Sequence, residues 1–210
     1  MPIFLEDKMI KNIILDMGNV CCRWDIYYLA QCLTDHIVDQ KLIIEHVFKS
    51  PQWQLLDAGA ITLQQAEHEL LETVDENKKM IIKKALYHWH DYFDQYDEME
   101  AYIIALKERG YKVYLLSNCS MQFYDYYQKK SIFSHFDDYY ISAKYHLTKP
   151  RKEIYLDFLK RFDLKAEECI FIDDVKDNID GARSVGMKGF VYDGNIDELD
   201  NILKKDKIHQ

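Results

Sequence analysis

The sequence predicts an α/β fold in which an open sheet of parallel strands is interrupted, after its first strand, by a helical insert. Short apolar runs that end on polar residues alternate with amphipathic helices over the second half of the chain. Between residues 25 and 95, in contrast, the pattern indicates helices with few strand signals. The length of 210 residues and the apolar share of 48% are sufficient for a packed core that carries a smaller insert.

The first predicted strand is the apolar run Asn12-Ile13-Ile14-Leu15, which ends on Asp16. Its β-branched apolar residues suit a strand that is buried on both faces of a sheet. An acid at the end of such a strand is either a cap for a helix or turn, or a reactive group held at the edge of the sheet. The run alone is compatible with both roles.

The insert contains apolar residues at helical spacing in four segments, at residues 26–33, 42–48, 62–71 and 75–89. Thr62-Leu-Gln-Gln65 is a capping box, which is a signal for the start of a helix. Strand patterns are scarce here, so we predict a helical cap domain at residues 25–95. The core domain is then formed by residues 1–24 and 96–210.

The alternation of helices and strands resumes after the insert. Gly110 is a good left-handed stop for the helix that precedes it. Strands are predicted at residues 112–116, 139–141, 169–172 and 189–192, and helices at residues 97–109, 151–162, around 179–185 and at 196–204.

Composition excludes several classes of protein. The 27 Lys and Arg are scattered among 36 Asp and Glu, and the net charge of −9 argues against a nucleic-acid partner. Every apolar run is too short to span a membrane, and the N-terminus is too charged for a signal peptide. The five cysteines form no C-x-x-C pair, which indicates reduced, mostly buried thiols. We expect a cytoplasmic monomer or homodimer.

Polar residues stand at the ends of three predicted strands, and a lysine lies on a loop between two of them. They are Asp16, Ser117-Asn118, Asp173-Asp174 and Lys149. The carboxyl ends of parallel strands meet at one edge of an open sheet, where ligands bind. We therefore expect three acids, a hydroxyl and a lysine to converge there.

The order of these motifs resembles that of the haloacid dehalogenase-like hydrolase superfamily, and the match covers nearly the whole chain. Each motif is weak alone, but the ordered set is specific. The resemblance implies a Rossmann-like core and makes the helical insert the cap domain of such enzymes. The matching residues are Asp16-Met-Gly-Asn-Val20, Ser117-Asn118, Lys149-Pro150 and Asp173-Asp174 followed by Asn178.

The resemblance also implies the chemistry. Asp16 is the expected nucleophile, which forms an aspartyl-phosphate intermediate. Ser117 is expected to bind a phosphoryl oxygen and Lys149 to neutralise the transferring group, while Asn118 contacts the substrate.

The implied cofactor is Mg²⁺, a cation that prefers oxygen ligands. Its expected ligands are the carboxylates of Asp16 and Asp174 and the backbone carbonyl of Gly18. Asp173 is expected either to bind the ion or to support its ligands, and Asn178 to orient the acids.

The first motif departs from the family pattern of phosphatases, which carry a second aspartate two residues after the nucleophile. Gly18 occupies that position, and glycine cannot protonate the leaving oxygen or activate water. General acid–base catalysis is typically worth about 10² to 10⁴ in rate. The departure therefore favours either another acid or a substrate whose leaving group needs little protonation.

The favoured function is a Mg²⁺-dependent phosphatase for a small phosphorylated metabolite, such as a hexose 1-phosphate. The D-x-G-N motif with the downstream pair Trp24-Asp25 resembles a subgroup that includes sugar-1-phosphate phosphatases. Asp25 is either a substrate contact or acid, or the cap of the first helix of the insert. The alternatives are a metal-independent 2-haloacid dehalogenase and a non-catalytic binding protein of the same fold.

A lid over the site favours a small substrate, because closure excludes water and leaves little room for a macromolecule. The insert residues that determine selectivity are not evident from the sequence. Candidates by residue type alone are Trp53, Asp57, His88, Trp89 and His90, and His146 lies just before the lysine loop.

Overall fold

The computed structural model describes residues 9–208, and its centre is a five-stranded parallel sheet. The predicted parallel α/β fold is confirmed. The central strand, β1, pairs with β2 on one side and β4 on the other, and the spatial order is β3-β2-β1-β4-β5. The strands are β1 (Asn12–Leu15), β2 (Lys112–Ser117), β3 (Asp138–Ile141), β4 (Cys169–Asp173) and β5 (Lys188–Val191).

Helices flank the sheet and fill the interval between β1 and β2. None of the helices within residues 9–208 is long and apolar enough to cross a membrane. The α-helices are α1 (Ile26–Leu33), α2 (Ile37–Ile43), α3 (Pro51–Asp57), α4 (Leu63–Glu72), α5 (Lys79–His88), α6 (Asp97–Glu108), α7 (Phe123–Tyr126), α8 (Ser142–Tyr145), α9 (Lys152–Arg161), α10 (Lys176–Arg183) and α11 (Ile196–Ile208).

Strand β1 is buried on both faces, as its composition predicts. Ile13 and Leu15 pack into the larger apolar core, which also contains the buried residues of the insert. Ile14 points to the opposite face and packs into a second core with Phe158 of α9 and Phe171 of β4. Burial on both faces holds the end of β1, and with it Asp16, in a rigid setting.

The insert between β1 and β2 is helical, as predicted from its sequence. The Thr62 capping box is present, since its hydroxyl accepts from Gln65 N and the Gln65 side chain accepts from Thr62 N. Helix α3 was not predicted; it begins after Ser50, whose hydroxyl accepts from Trp53 N at 3.1 Å. Its first residue is Pro51, a good helix opener because the ring lacks an N–H that would be left unpaired.

The two connections between the insert and the sheet run side by side. Arg23 N donates to Asp94 O at 2.8 Å, and Tyr96 N donates to Cys21 O at 2.9 Å. These bonds fix the insert at the edge of the sheet where Asp16 lies. The division into two domains, with boundaries at residues 24 and 96, stays a prediction.

Candidate active site

The polar strand ends come together as the parallel topology predicts. Carboxylate oxygens of Asp16, Asp173 and Asp174 all lie within 4.8 Å of one another. The Nζ of Lys149 lies 2.7 Å from Asp16 Oδ1 and 2.6 Å from Asp173 Oδ2. The lysine side chain is 1% exposed and that of Asp173 is fully buried, so the ion pairs are shielded from solvent.

Asn118 holds the lysine loop in place. Its Nδ2 donates to Lys149 O at 3.0 Å, and its Oδ1 accepts from Lys149 N at 2.8 Å. The side-chain amide therefore binds both the N–H and the C=O of Lys149. The predicted role of Asn118 was a contact to the substrate, which is a different one. Ser117, at the end of β2, lines the same cavity as Asp16.

Asp173 is engaged on both oxygens by neighbouring protein groups. Asn178 Nδ2 lies 3.0 Å from Oδ1 and 2.9 Å from Oδ2, and Val175 N donates to Oδ1 at 2.8 Å. Together with Lys149, these donors satisfy the buried carboxylate. Of the two roles that the sequence left open, the contacts favour support of the site over metal ligation.

Asp16 has an electrostatic environment that is unfavourable to its ionised form. Burial, together with the negative charge of Asp173, raises its pKa to about 6 against the opposing effect of Lys149. Oδ1 is buried, and its charged partner is the ammonium of Lys149, which Asp16 shares with Asp173. A nearby cation would relieve this imbalance, so the carboxylate cluster fits a hard divalent ion such as Mg²⁺.

Asn19 connects the first motif to Asp174 and was not predicted as a site residue. Its φ of 55° is in the left-handed region, which Asn tolerates better than most residues. Its Nδ2 donates to Asp174 Oδ2 at 3.0 Å, and its Oδ1 accepts from Trp24 N at 3.1 Å. The Gly-Asn pair in the sequence was a signal for this turn.

Gly18 lies against Trp24. A Cβ built at Gly18 would be 3.2 Å from Trp24 Cβ and 3.6 Å from Cγ. The indole packs edge-on against Phe48 and Trp89, so it has little room to move aside. A side chain at position 18, including the aspartate that the family pattern of phosphatases carries there, would therefore press on this aromatic cluster.

The cavity above Asp16 has a volume of about 370 Å³, and one of its walls is aromatic. Its acidic and basic lining residues, among those the structure describes, are Asp16, Asp57, Lys149 and Asp174. A substrate therefore meets ring faces and edges beyond the polar floor. The aromatic lining residues are Trp24, Phe48, Trp53, Trp89 and Phe93.

Asp25 caps α1. Its Oδ1 accepts from Tyr27 N and Tyr28 N, both at 3.0 Å, and its Oδ2 accepts from Arg23 at 2.8 Å. The backbone donor of Tyr28 and the guanidinium of Arg23 lower the pKa of Asp25, which opposes a role as an acid. Within the described chain, Asp25 is not among the residues that line the cavity.

The remaining candidates from the insert divide into two groups. Trp53, Asp57 and Trp89 line the cavity. Three histidines, His88, His90 and His146, are not part of its lining in the described chain.

Comparison with known proteins identifies relatives along most of the chain. A D-ribitol-5-phosphate phosphatase from Bacteroides thetaiotaomicron is 25% identical over 200 residues, which are 90% of this chain and 95% of the relative. A sesquiterpene phosphatase from Aspergillus oryzae is 27% identical over 186 residues, or 85% and 88% of the two chains.

A similar crystal structure is that of a haloacid dehalogenase family enzyme from Bacteroides thetaiotaomicron in complex with magnesium and inorganic phosphate. It has a TM-score of 0.72 and 22% identity, and the match covers 89% of this chain and 96% of that one, which shows a shared fold. The family model for haloacid dehalogenase-like hydrolases matches residues 10–186. The chain is therefore a hydrolase that belongs to the haloacid dehalogenase-like family.

Proposed function

We propose that this protein is a Mg²⁺-dependent phosphatase that acts on a small phosphorylated metabolite through an aspartyl-phosphate on Asp16. The observation that carries the proposal is the contact of Lys149 with both Asp16 and Asp173 at the floor of a cavity. A phosphatase relative, named for D-ribitol 5-phosphate, supports the reaction class.

The metal ligands would be a carboxylate oxygen of Asp16, one of Asp174 and the carbonyl of Gly18. Asp16 and Asp174 both line the cavity and Asp174 is partly exposed, whereas Asp173 is occupied by protein donors. When bound there, Mg²⁺ supplies positive charge that offsets the negative charge of the phosphoryl group.

The chain's own residues provide nucleophile, charge and position. Asp16 attacks phosphorus, and the bond between phosphorus and the leaving oxygen breaks. The ammonium of Lys149 neutralises the charge on the transferring group, and the hydroxyl of Ser117 donates to a phosphoryl oxygen. Asn118 holds the backbone of Lys149 in position, and Asn178 holds the carboxylate of Asp173.

The cavity lining favours an uncharged leaving group. Its single lysine is committed to two carboxylates, so a carboxylate or second phosphate on the substrate would meet no free cation among the described lining residues. Aromatic faces suit the C–H face of a sugar or an apolar chain. A sugar or polyol phosphate, such as a hexose 1-phosphate, satisfies these requirements and agrees with the polyol phosphate in the name of one relative.

The two competing functions have less support. A metal-free dehalogenase would have to hold three close carboxylates with one lysine, an unfavourable excess of buried negative charge. For a non-catalytic protein, the burial of Lys149, which is 1% exposed, beside the predicted nucleophile would have no function.

The test is phosphate release from glucose 1-phosphate, glucose 6-phosphate, D-ribitol 5-phosphate and 4-nitrophenyl phosphate. Each compound is assayed with Mg²⁺ and with EDTA, and the Asp16→Asn variant serves as the blank. Release that requires Mg²⁺ and disappears in the variant supports the proposal. Undiminished release by Asp16→Asn would refute it, and halide release from a 2-haloacid would support the dehalogenase instead.

A further inference from the structure

The proposed phosphatase reaction lacks an evident proton donor. An alkoxide is a poor leaving group, so it needs a proton as its bond to phosphorus breaks. Gly18 has no side chain to give one, and Trp24 occupies the space next to it. The donor must therefore come from elsewhere in the cavity.

The titratable side chains that line the cavity in the described structure leave one candidate. Asp16 is the nucleophile, Lys149 is paired with two carboxylates, and Asp174 is a predicted metal ligand. Burial raises the pKa of Cys119 far above neutral and makes it a poor exchanger of protons. The remaining side chain is Asp57, the last residue of α3.

We propose that Asp57 is the general acid and base of this enzyme and that the cap helix α3, in place of the first motif, delivers the carboxyl group. The inference rests on the proposed function, since it assigns a proton donor to that reaction. In phosphoryl transfer the leaving oxygen departs in line, away from the nucleophile. Asp16 comes from the sheet and Asp57 from the insert, so the two carboxyls approach the cavity from different elements.

The backbone of Asp57 is anchored directly to the core. Ser142 Oγ donates to Asp57 O, and the same hydroxyl accepts from Cys119 N at 2.9 Å. Cys119 follows the Ser117-Asn118 motif, so this chain of hydrogen bonds links α3 to the segment that follows β2. The position of Asp57 is thus set relative to Ser117 and Asn118.

A close backbone approach two residues later reinforces this anchor. Gly59 has a φ of +66°, and a Cβ at that position would lie 2.1 Å from Ala143 O and 2.9 Å from His146 Nδ1. Only glycine allows this contact between the end of α3 and the core. Asp57 therefore lies two residues before Gly59, where the insert contacts the core.

The environment of the carboxyl group suits a donor that is protonated before the reaction. Burial raises the pKa of Asp57 well above its ordinary value, and the negative charge of Asp16 raises it further. The backbone N–H of Ser120 acts in the opposite direction. A neutral carboxyl group also avoids adding a fourth negative charge to the site.

The proton balance closes over the two chemical steps. In the first, Asp16 bonds to phosphorus and the leaving oxygen takes the proton of Asp57, which becomes a carboxylate. In the second, that carboxylate takes a proton from water as the water oxygen bonds to phosphorus, and the bond from phosphorus to Asp16 breaks. Asp57 is protonated again, and no other reactant is required.

The test compares Asp57→Asn with wild type on three esters of similar size, benzyl, phenyl and 4-nitrophenyl phosphate, with Mg²⁺ present. These leaving groups range from one that needs protonation to one that does not. We expect kcat/KM of the variant to fall by about 10² to 10⁴ for benzyl phosphate, and about tenfold or less for 4-nitrophenyl phosphate. Retained activity on the nitrophenyl ester also shows that the variant folds.

Rapid-mixing kinetics give a second readout. Formation of the intermediate from 4-nitrophenyl phosphate needs no acid, but its hydrolysis needs a base, so Asp57→Asn should release a burst of nitrophenol and then turn over slowly. Wild type keeps the base, so its rate after the burst should be much faster. The control Asp75→Asn makes the same chemical change at an exposed acid of the insert and should match wild type.

The outcomes separate the inference from the proposed function. An equal loss of kcat/KM for all three esters, or no loss, would overturn the role of Asp57 while leaving the phosphatase intact. Absence of phosphate release by wild type from these esters and from the sugar and polyol phosphates of the first panel would overturn the proposed function, and this role with it.

Discussion

Replacing Asp16 by Asn should abolish turnover and yet stabilise the metal-free protein. Asp16 carries a charge that the fold tolerates poorly, since burial and the neighbouring Asp173 raise its pKa from an ordinary 3.8 to about 6, even with Lys149 beside it. Asparagine keeps the shape of the side chain and removes that charge. Lys149 retains its second partner, Asp173, in the variant.

The size of the effect depends on pH. A pKa that is higher in the folded state means that the folded protein binds the proton more tightly, so stability falls as the pH rises from 3.8 to about 6 and is constant above it. Across this interval the free energy of unfolding falls by about 3 kcal/mol. The Asn variant does not titrate, so it should be more stable than wild type by about 3 kcal/mol at pH 8 and by about 1 kcal/mol at pH 4.5.

Urea denaturation of both proteins in EDTA at the two pH values measures this difference. Added Mg²⁺ should stabilise wild type and have much less effect on the variant, which lacks one proposed ligand. If the two proteins were equally stable at pH 8 in EDTA, or the variant were the weaker, the inferred excess of negative charge around Asp16 would be wrong.

Three further substitutions test individual contacts. Lys149→Met leaves two buried carboxylates without their cation and should cost about 3–5 kcal/mol of unfolding free energy and abolish activity, as measured by denaturation and phosphate release. Gly18→Ala places a Cβ 3.2 Å from Trp24 and should lower stability by about 1–3 kcal/mol without raising kcat, because alanine supplies no proton. Asp137 accepts from Val113 N at 2.8 Å and from two lysines; although burial opposes them, these donors lower its pKa below the ordinary 3.8. Asp137→Asn should therefore cost about 1–3 kcal/mol at pH 7, and urea titrations should show this deficit closing as the pH falls below 3.8.

The sheet, and the convergence of the polar residues at the ends of its strands, could be predicted from the sequence because both follow from local sequence patterns. Strands buried on two faces appear as apolar runs, and parallel order brings the residues that follow them to one edge. Asp16 and Asp173 lie far apart in sequence but follow from that rule, and Lys149 lies on a loop that reaches both of them. Helix α3 was missed because only Leu56 of its seven residues is buried, which leaves no apolar stripe to detect.

The sequence did not predict contacts between residues that only the tertiary fold brings together. Asp25 was compatible with a cap or a substrate contact, and the cap geometry appears only with the turn before α1. Asn118 bonds to the backbone of a residue 31 positions away, which no local pattern indicates. The position of Asp57 depends on Ser142, 85 residues later, so residue type alone made it one candidate among several.

The most direct test of the central claim is to detect the intermediate on Asp16. Wild type mixed with 4-nitrophenyl phosphate and Mg²⁺ is quenched in acid within its first turnovers and digested, and the peptides are analysed by mass spectrometry. We predict a phosphate on the peptide that contains Asp16, which hydroxylamine removes and which Asp16→Asn never acquires. Steady release of phosphate with no label on that peptide at any time would contradict the account.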